Sequence, residues 1–544
     1  MKNSCLYADN YMKNSVEETK VQMCKIAKYN LMMSSEFVRY RSIVPVVSQE
    51  AVEGSYCWDT FLEKVLAKLD RSGDVNSRCP AYVVPVEYFY QAQFAEYMKY
   101  IDTSVKIEVA LYGDYGYNAG PVKLYWFARV MKVAGYRLLL RYEGMDEVGD
   151  NAHDFWVNIS SEDIRPVGYC AEKTETRALV PPESIHKRQS NWRQYILCQI
   201  HAYRTIAINW PEIQVRKLTA CKFKKGDHVE LLDSTVSLRV RPACVEKVIG
   251  TRIHVRISQI FLNRYRTDDG DSQVNEGVWM DQDSPLIFPV GWALKVGYKL
   301  EANDDYIKHA KEVLEADDSE YGKHEENPSP SKMYTKAEAA DGIMWEKGMK
   351  LEVLDPLDTW KELRVSTVME VMNDSFLKIG FDGEEMENDL VPLHSTSELL
   401  FPVGYAQKYG IRLKGPNNTG LFDWTVYLKE SNAIAAPEKL FNTFNDDVLN
   451  DFKIGAKLEA TDMCEPHLIC PATVAGHHGR LLRIEYDGWG SNYDQLFDYR
   501  SANIFPLGWC EMYGYKLEAP RVLHVPKKKR KKICKDNFET DISA

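Results

Sequence analysis

Apolar and charged residues alternate in a short phrase of the form Gly-x-x-apolar-Glu that recurs along the chain. It reads GDHVELLD at 226–233, GMKLEVLD at 348–355 and GAKLEATD at 455–462, with VKIEVA from Val105 as a looser version. Alternation with a period of two marks a half-buried strand, so each phrase predicts one. Asp233, Asp355 and Asp462 then fall where a loop should open. Further strand-like runs follow, YRLLLRYEG from Tyr136, SFLKIGFDG from Ser375 and RLLRIEYDG from Arg480, each ending at a Glu-Gly or Asp-Gly turn.

A second phrase recurs in step with the first. IRPVGYC at 164–170, IFPVGWA at 287–293, LFPVGYA at 400–406 and IFPLGWC at 504–510 each lead an apolar residue into Pro and Gly, which fix a turn, and then into an anchoring aromatic. Gly168, Gly291, Gly404 and Gly508 lie 123, 113 and 104 residues apart. Four units of roughly one hundred residues therefore fill the chain. Many short strands and few long helical patterns predict a mainly β protein of small twisted barrels.

In front of the barrels come arms. Trp58, Phe61 and Leu62 precede Val84-Pro85, and Trp424, Tyr427 and Leu428 precede Ala436-Pro437; a reduced arm holds Trp192 and Tyr195. These arms are expected to pack against neighbouring barrels. The stretch 315–331, EADDSEYGKHEENPSPS, has almost nothing to bury and predicts a mobile loop within the third unit's arm. Residues 1–49 form a leader, with either a packing helix over 16–33 or a disordered segment.

Composition adds limits. The chain has 544 residues, too many for one core, with 45% hydrophobic and 27% charged residues and 32 Tyr and 12 Trp. No run of about 18 apolar residues predicts a membrane span, and the opening MKNSCLYADNYMKNS has no apolar core of the secretory kind. No pair of the twelve cysteines has CxxC spacing, so reduced, buried thiols are expected. Residues 1–526 carry 61 basic against 76 acidic side chains, a net of −15. Such a body suits a basic partner better than a phosphate backbone. The tail differs: Lys527, Lys528, Lys529, Arg530, Lys531 and Lys532 form a compact basic run that reads as a nuclear-import signal, with nucleic-acid contact weak if any.

With the frame LE-x-x-D, C, Y-D-G-W, Y-D and F-P-L-G-W-C in place, the chain resembles the malignant brain tumour (MBT) repeat family, and its four units resemble the Sfmbt-like chromatin repressors. The resemblance implies a fold of four tandem repeats, each a Tudor-like (SH3-like) small β-barrel with an extended or helical N-terminal arm. The repeats would span 50–185, 186–305, 306–413 and 414–526, ahead of a tail at 527–544. One repeat of such proteins carries an aromatic cage for a methylated lysine of a histone tail. The fourth repeat matches that cage: Asp462 as the acid, Tyr486, Trp489 and Tyr493 as walls, and Cys470 as a small residue lining the pocket. The third keeps Asp355 and Phe381 but has Glu384 and Asn388 for Trp489 and Tyr493. The second keeps Asp233 and Cys244, and the first has Tyr142 with Met145 at the tryptophan position and no convincing acid.

The chemistry suits the task. A methylated ammonium keeps its charge and loses part of its hydration, so each well-placed ring can attract it by about 0.5 to 2 kcal/mol. A carboxylate at Asp462 adds a hydrogen-bond acceptor for the N–H that mono- and dimethyl-lysine retain and trimethyl-lysine lacks. Tyr486, Trp489 and Tyr493 also have the i, i+3, i+7 spacing of a buried helical stripe, but Asp487, Gly488 and Gly490 between them favour a loop. Cys464, Cys470, His467, His477 and His478 fit no zinc spacing. No phosphate loop, nucleophile elbow or HExxH helix is present, so neither catalysis nor a cofactor is expected. The expected function is a nuclear reader of mono- or dimethylated histone lysine acting in transcriptional repression with repressive chromatin-complex proteins, or else a scaffold whose repeats mainly dock partners.

Overall fold

The computed structural model describes residues 52–72, 82–90, 92–103, 105–111, 123–147, 150–172, 176–199, 203–262, 276–317, 343–383, 386, 388–416, 422–442 and 451–521. The leader, Glu384 and the basic tail lie outside the described residues.

Within this set the strands form four mainly antiparallel sheets, one per repeat, with Arg177–Leu179 and Leu413–Lys414 added parallel to the second strand of the first and third. In the fourth, Lys457–Thr461, Ile469–His478, Leu481–Tyr486 and Gln495–Asp498 follow as a meander, and Ile504–Phe505 returns to pair with Lys457–Thr461. The same order starts at Lys106–Leu111, His228–Leu232 and Lys350–Val353. In every repeat the second strand shifts register at one place, between Val130/Lys132, Val245/Lys247, Val368/Glu370 and Val474/Gly476. An extra residue there bends the strand and tightens its twist, which curls each sheet into a half-barrel.

The two recurring phrases meet in space. Glu108, Glu230, Glu352 and Glu459, the glutamates of the strand phrase, have no exposed surface. Each carboxylate accepts two backbone N–H groups from the Pro-x-Gly phrase of its own repeat: Gly168 and Cys170, Gly291 and Ala293, Gly404 and Ala406, Gly508 and Cys510, all at 2.7–2.8 Å. Short helical turns such as Trp509–Tyr513 begin there, and the charge satisfies their free amides. The glycine is needed because the backbone is left-handed at that point, with φ of 89° at Gly508. Burial pushes the Glu459 carboxyl above its ordinary range, opposed by the N–H bonds and an indole.

That indole comes from an arm. Trp58 Nε1 donates to Glu459 at 2.9 Å, and Trp424 Nε1 to Glu352 at 2.7 Å. Backbone pairing continues each contact, Val84 N donating to Lys457 O at 3.1 Å and Ala436 N to Lys350 O at 2.9 Å. Trp192 meets Trp126 edge to face at 5.3 Å in the first repeat. Each of these arms therefore seats on the preceding half-barrel, and the first arm seats on the last. The third arm is the helix Asp304–Asp317, which places Tyr306, Ala310 and Val313 on one buried face against Val290. It runs into the segment expected to be a mobile loop from Glu315. Residues 315–317 are instead its last turn, because that apolar stripe and the Asn303 side chain bonded to Tyr306 N at 2.9 Å carry the helix onward.

The fourth repeat touches the other three. Asn158 Nδ2 of the first donates to Gly508 O at 2.9 Å, and Arg252 of the second, fully buried, donates to Thr461 Oγ1 at 2.5 Å. Arg480 reaches into the third, donating to the carbonyls of Glu398 and Leu400 at 2.8 and 2.7 Å.

Glu459→Gln should test the joint. The amide turns one acceptor into a donor facing backbone N–H, leaving a buried group unpaired at a cost of about 2 kcal/mol. Thermal unfolding should show a lower midpoint than wild type, whereas an unchanged midpoint would mean that the joint adds no stability.

Candidate functional site

The loops at one end of the fourth sheet bring the cage residues together. Asp462 stands just past Lys457–Thr461, and Cys470 pairs with Ala460 two residues before it. Tyr486 ends the third strand, and a loop, not a helix, carries Trp489 and Tyr493, with Trp489 N bonded to Tyr486 O at 3.0 Å and a tight turn over Ser491–Tyr493. Lys457 holds the root of that loop through both oxygens of Asp487 at 2.7 Å.

The Trp489 and Tyr493 rings meet edge to face at 4.9 Å and 64°. Exposure grades outward, from 3% at Tyr486 to 44% at Tyr493, as in a cup with a closed floor. Tyr486 Oη donates at 2.6 Å towards Thr461 O and Gln495 Oε1. Burial, with Asp462 second, pushes this phenol well above its ordinary value, so it stays neutral. Burial and then Asp462 likewise push the Cys470 thiol up to about 12.

One residue at the centre was missed from the sequence. Gln495, buried, donates through Nε2 to Asp462 Oδ1 at 3.0 Å and accepts through Oε1 from Met463 N at 3.0 Å and from Tyr486. It ties acid, floor and loop into one frame. Its only signal was its place two residues after Tyr493 in NYDQLFD. Cys464 N also bonds Asp462 Oδ1, at 2.9 Å, and none of the described residues bonds Oδ2. The histidines lie apart, His477 on Phe452 O and His478 on Tyr409 O.

The sister pockets are filled. Counted from the buried glutamate, the place of Cys470 opposite Ala460 belongs to Arg364 opposite Val353, Arg241 opposite Leu231 and Trp126 opposite Val109. Arg364 lies 4.0 Å over the Phe381 ring and pairs with Asp355 and Asp389, each at 2.6 Å. Arg239 and Arg241 close on Asp233 at 2.7 and 3.2 Å. Burial alone would raise Asp233, but the Thr235 and Arg239 bonds and the Arg241 charge hold it below its usual range. In the first repeat Trp126 is fully buried, donates to Glu143 O at 2.9 Å, and Leu111 stands at the acid's place. Asn388, at the place of Tyr493, is exposed.

Cys244 was expected as the counterpart of Cys470, and the structure corrects this. It pairs with His228, as Thr473 pairs with Lys457, three residues further along the strand. Matching Pro242-Ala243 to Pro471-Ala472 in the sequence would have revealed Arg241 in Cys470's place.

Four curled half-barrels with loops of this kind define a tandem-repeat protein of the mbt class. The mbt repeat family matches residues 118–186, 227–307, 349–420 and 456–524, and the chain belongs to that family. It is 38% identical over 407 residues to MBT domain-containing protein 1 of Xenopus laevis, covering 74% of this chain and 60% of that protein. It is 31% identical to Protein lin-61 of Caenorhabditis elegans, covering 87% and 78%, and 33% identical to Polycomb protein Sfmbt of Drosophila melanogaster, covering 74% and 32%. Among solved structures it is similar to the four MBT repeats of Drosophila melanogaster Sfmbt in complex with the peptide RHR(me)KVLR. That likeness has a TM-score of 0.69 and 30% identity, and it covers 86% of this chain and 99% of that one. The chain thus spans about 60% of the length of the MBT domain-containing proteins it matches.

Arg364→Cys should leave Asp355 a buried carboxylate without its counter-charge. Removing one partner of such a pair costs about 3 kcal/mol. Denaturant unfolding should show that loss; unchanged stability would mean that the plug is not needed to hold the third repeat.

Proposed function

We propose that the chain is a nuclear chromatin reader whose fourth repeat admits a mono- or dimethylated histone lysine between Tyr486, Trp489 and Tyr493, acting in transcriptional repression. One observation carries this reading: at a position shared by all four repeats, Trp126, Arg241 and Arg364 stand in three, while the fourth has the small Cys470 beside an acid and three rings. Arg521, whose guanidinium lies 3.8 Å from the centroid of the Trp489 ring, shows that this ring accepts a cation. The Sfmbt repeats taken with a methyl-lysine peptide support it by likeness.

The side chain would enter past Tyr493, lay its methyl groups on the rings and give its N–H to Asp462. A single side chain in a single pocket binds weakly, and linked contacts within a repressive complex would supply the rest. The acidic body helps by drawing in basic tails. Import would rest on Lys527, Lys528, Lys529, Arg530, Lys531 and Lys532, read by a nuclear import receptor.

A second reading, a scaffold that docks partners with little dependence on methylation, is favoured by the three filled pockets and the interlocked arms. Titration with peptides carrying zero to three methyl groups on one lysine separates the two. The reader requires mono- and dimethyl forms to bind best, at least tenfold weaker binding for Trp489→Ala, and loss of the preference for lower methylation in Asp462→Ala. Equal binding of methylated and unmethylated peptides overturns it.

Cys470→Arg imports the third repeat's plug. The new guanidinium should pair with Asp462 and abolish peptide binding while the unfolding midpoint stays near wild type. Undiminished binding in this variant would place the ligand elsewhere.

A further inference from the structure

The mouth of the fourth pocket is not built by the fourth repeat alone. The third repeat's loop after Asp355, the counterpart of the loop after Asp462, lies against it. Trp360 O accepts from Leu496 N at 2.7 Å, the Trp360 ring stacks on Phe497 at 5.9 Å and 29°, and Cys464 Sγ approaches Thr359 O at 3.9 Å. Trp360 is 6% exposed and holds a left-handed backbone, φ 62°, that a bulky side chain adopts only where packing imposes it. The next residue is thereby aimed. Lys361 is exposed, and its ammonium lies 5.6 Å from the centroid of the Tyr493 ring.

Other charges sit near. Asp358 is engaged by Lys414 at 3.5 Å, and Asp494, which feels burial first, then Glu485, Arg483 and Lys361, lies 3.9 Å from Arg483. Among the described residues no carboxylate forms an ion pair with Lys361. An exposed cation with no ion-pair partner among the described residues therefore stands beside the outermost wall of the pocket, apart from Arg521, whose guanidinium lies 3.8 Å from the centroid of the Trp489 ring.

We infer that Lys361 of the third repeat is a specificity residue for the fourth, biasing it against peptides with basic residues beside the methyl-lysine and toward those with acidic ones. The inference rests on the cage reading and adds what selects among methylated ligands. The side chains flanking an inserted lysine emerge at the rim, within a Debye length of about 8 Å of this ammonium. They meet its charge directly, whereas the acidic body acts at longer range on all basic peptides alike. Specificity of this kind comes from a repulsive element as much as from an attractive one.

The test uses two monomethyl-lysine peptides, identical except for arginines or aspartates at the flanking positions, together with their unmethylated forms. The readout is the ratio of the two affinities, which cancels effects common to both peptides. Lys361→Glu should raise the ratio of arginine-flanked to aspartate-flanked affinity about fivefold, from two charge reversals at this range after screening. Lys361→Ala should fall between, and Lys225→Glu, an exposed reversal of the same size in the second repeat, should leave the ratio unchanged. A methyl-dependent wild type whose ratio does not respond to Lys361→Glu overturns this inference and leaves the cage intact. Loss of methyl dependence in the wild type sinks the cage reading, and the inference falls with it.

Discussion

One carboxylate per repeat carries the architecture. Glu108, Glu230, Glu352 and Glu459 are buried carboxyl groups, and burying such a group is unfavourable unless its oxygens are satisfied. Each meets two backbone amides at the start of a helical turn, where the peptide dipoles point their positive ends. The contact joins the first strand to the returning chain and closes the half-barrel. In the third and fourth repeats the same oxygens also receive a tryptophan from an arm, so closure within a repeat and docking between repeats share one acceptor. Where two levels of structure converge on one atom, the sequence around that atom has little freedom, and the phrases at 348–355, 400–406, 455–462 and 504–510 keep their form for this reason.

The fourth repeat occupies a special place in this arrangement. It contacts the first through Asn158, the second through Arg252 and the third through Arg480 and Trp360. It is also the repeat that carries a small cysteine, not an arginine or a tryptophan, opposite the residue after its buried glutamate. The two facts fit the proposed reading, because a pocket braced by neighbouring repeats would lose less entropy on closing over a guest. The other repeats place their own tryptophan or arginine at the equivalent position.

Much of the frame was legible in the sequence because it obeys local rules. The period-two strand phrases, the Pro-x-Gly turns and the Gly-Asp punctuation around Trp489 are short-range signals, and they marked both the four units and the loop that bears the rings. What escaped was non-local. Gln495 matters through bonds to Asp462 and Tyr486, and Lys361 through a ring more than a hundred residues away. Cys244 was misplaced because a register can be set only by the partner strand, and the helix Asp304–Asp317 was missed, its last turn taken into the loop from Glu315, because polar composition hid a sparse apolar stripe.

The arms have a consequence for how such a chain divides. The tryptophan that plugs the fourth half-barrel is Trp58, four hundred residues earlier, and Ser55 lies beside Leu517 through a 3.0 Å bond. The folding unit and the repeating unit are thus out of phase by one arm, and the phase error is made good by closing the string into a loop. A contiguous cut around the last repeat isolates a barrel without its plug, whereas a circular permutant opened between two other repeats would keep every plug seated.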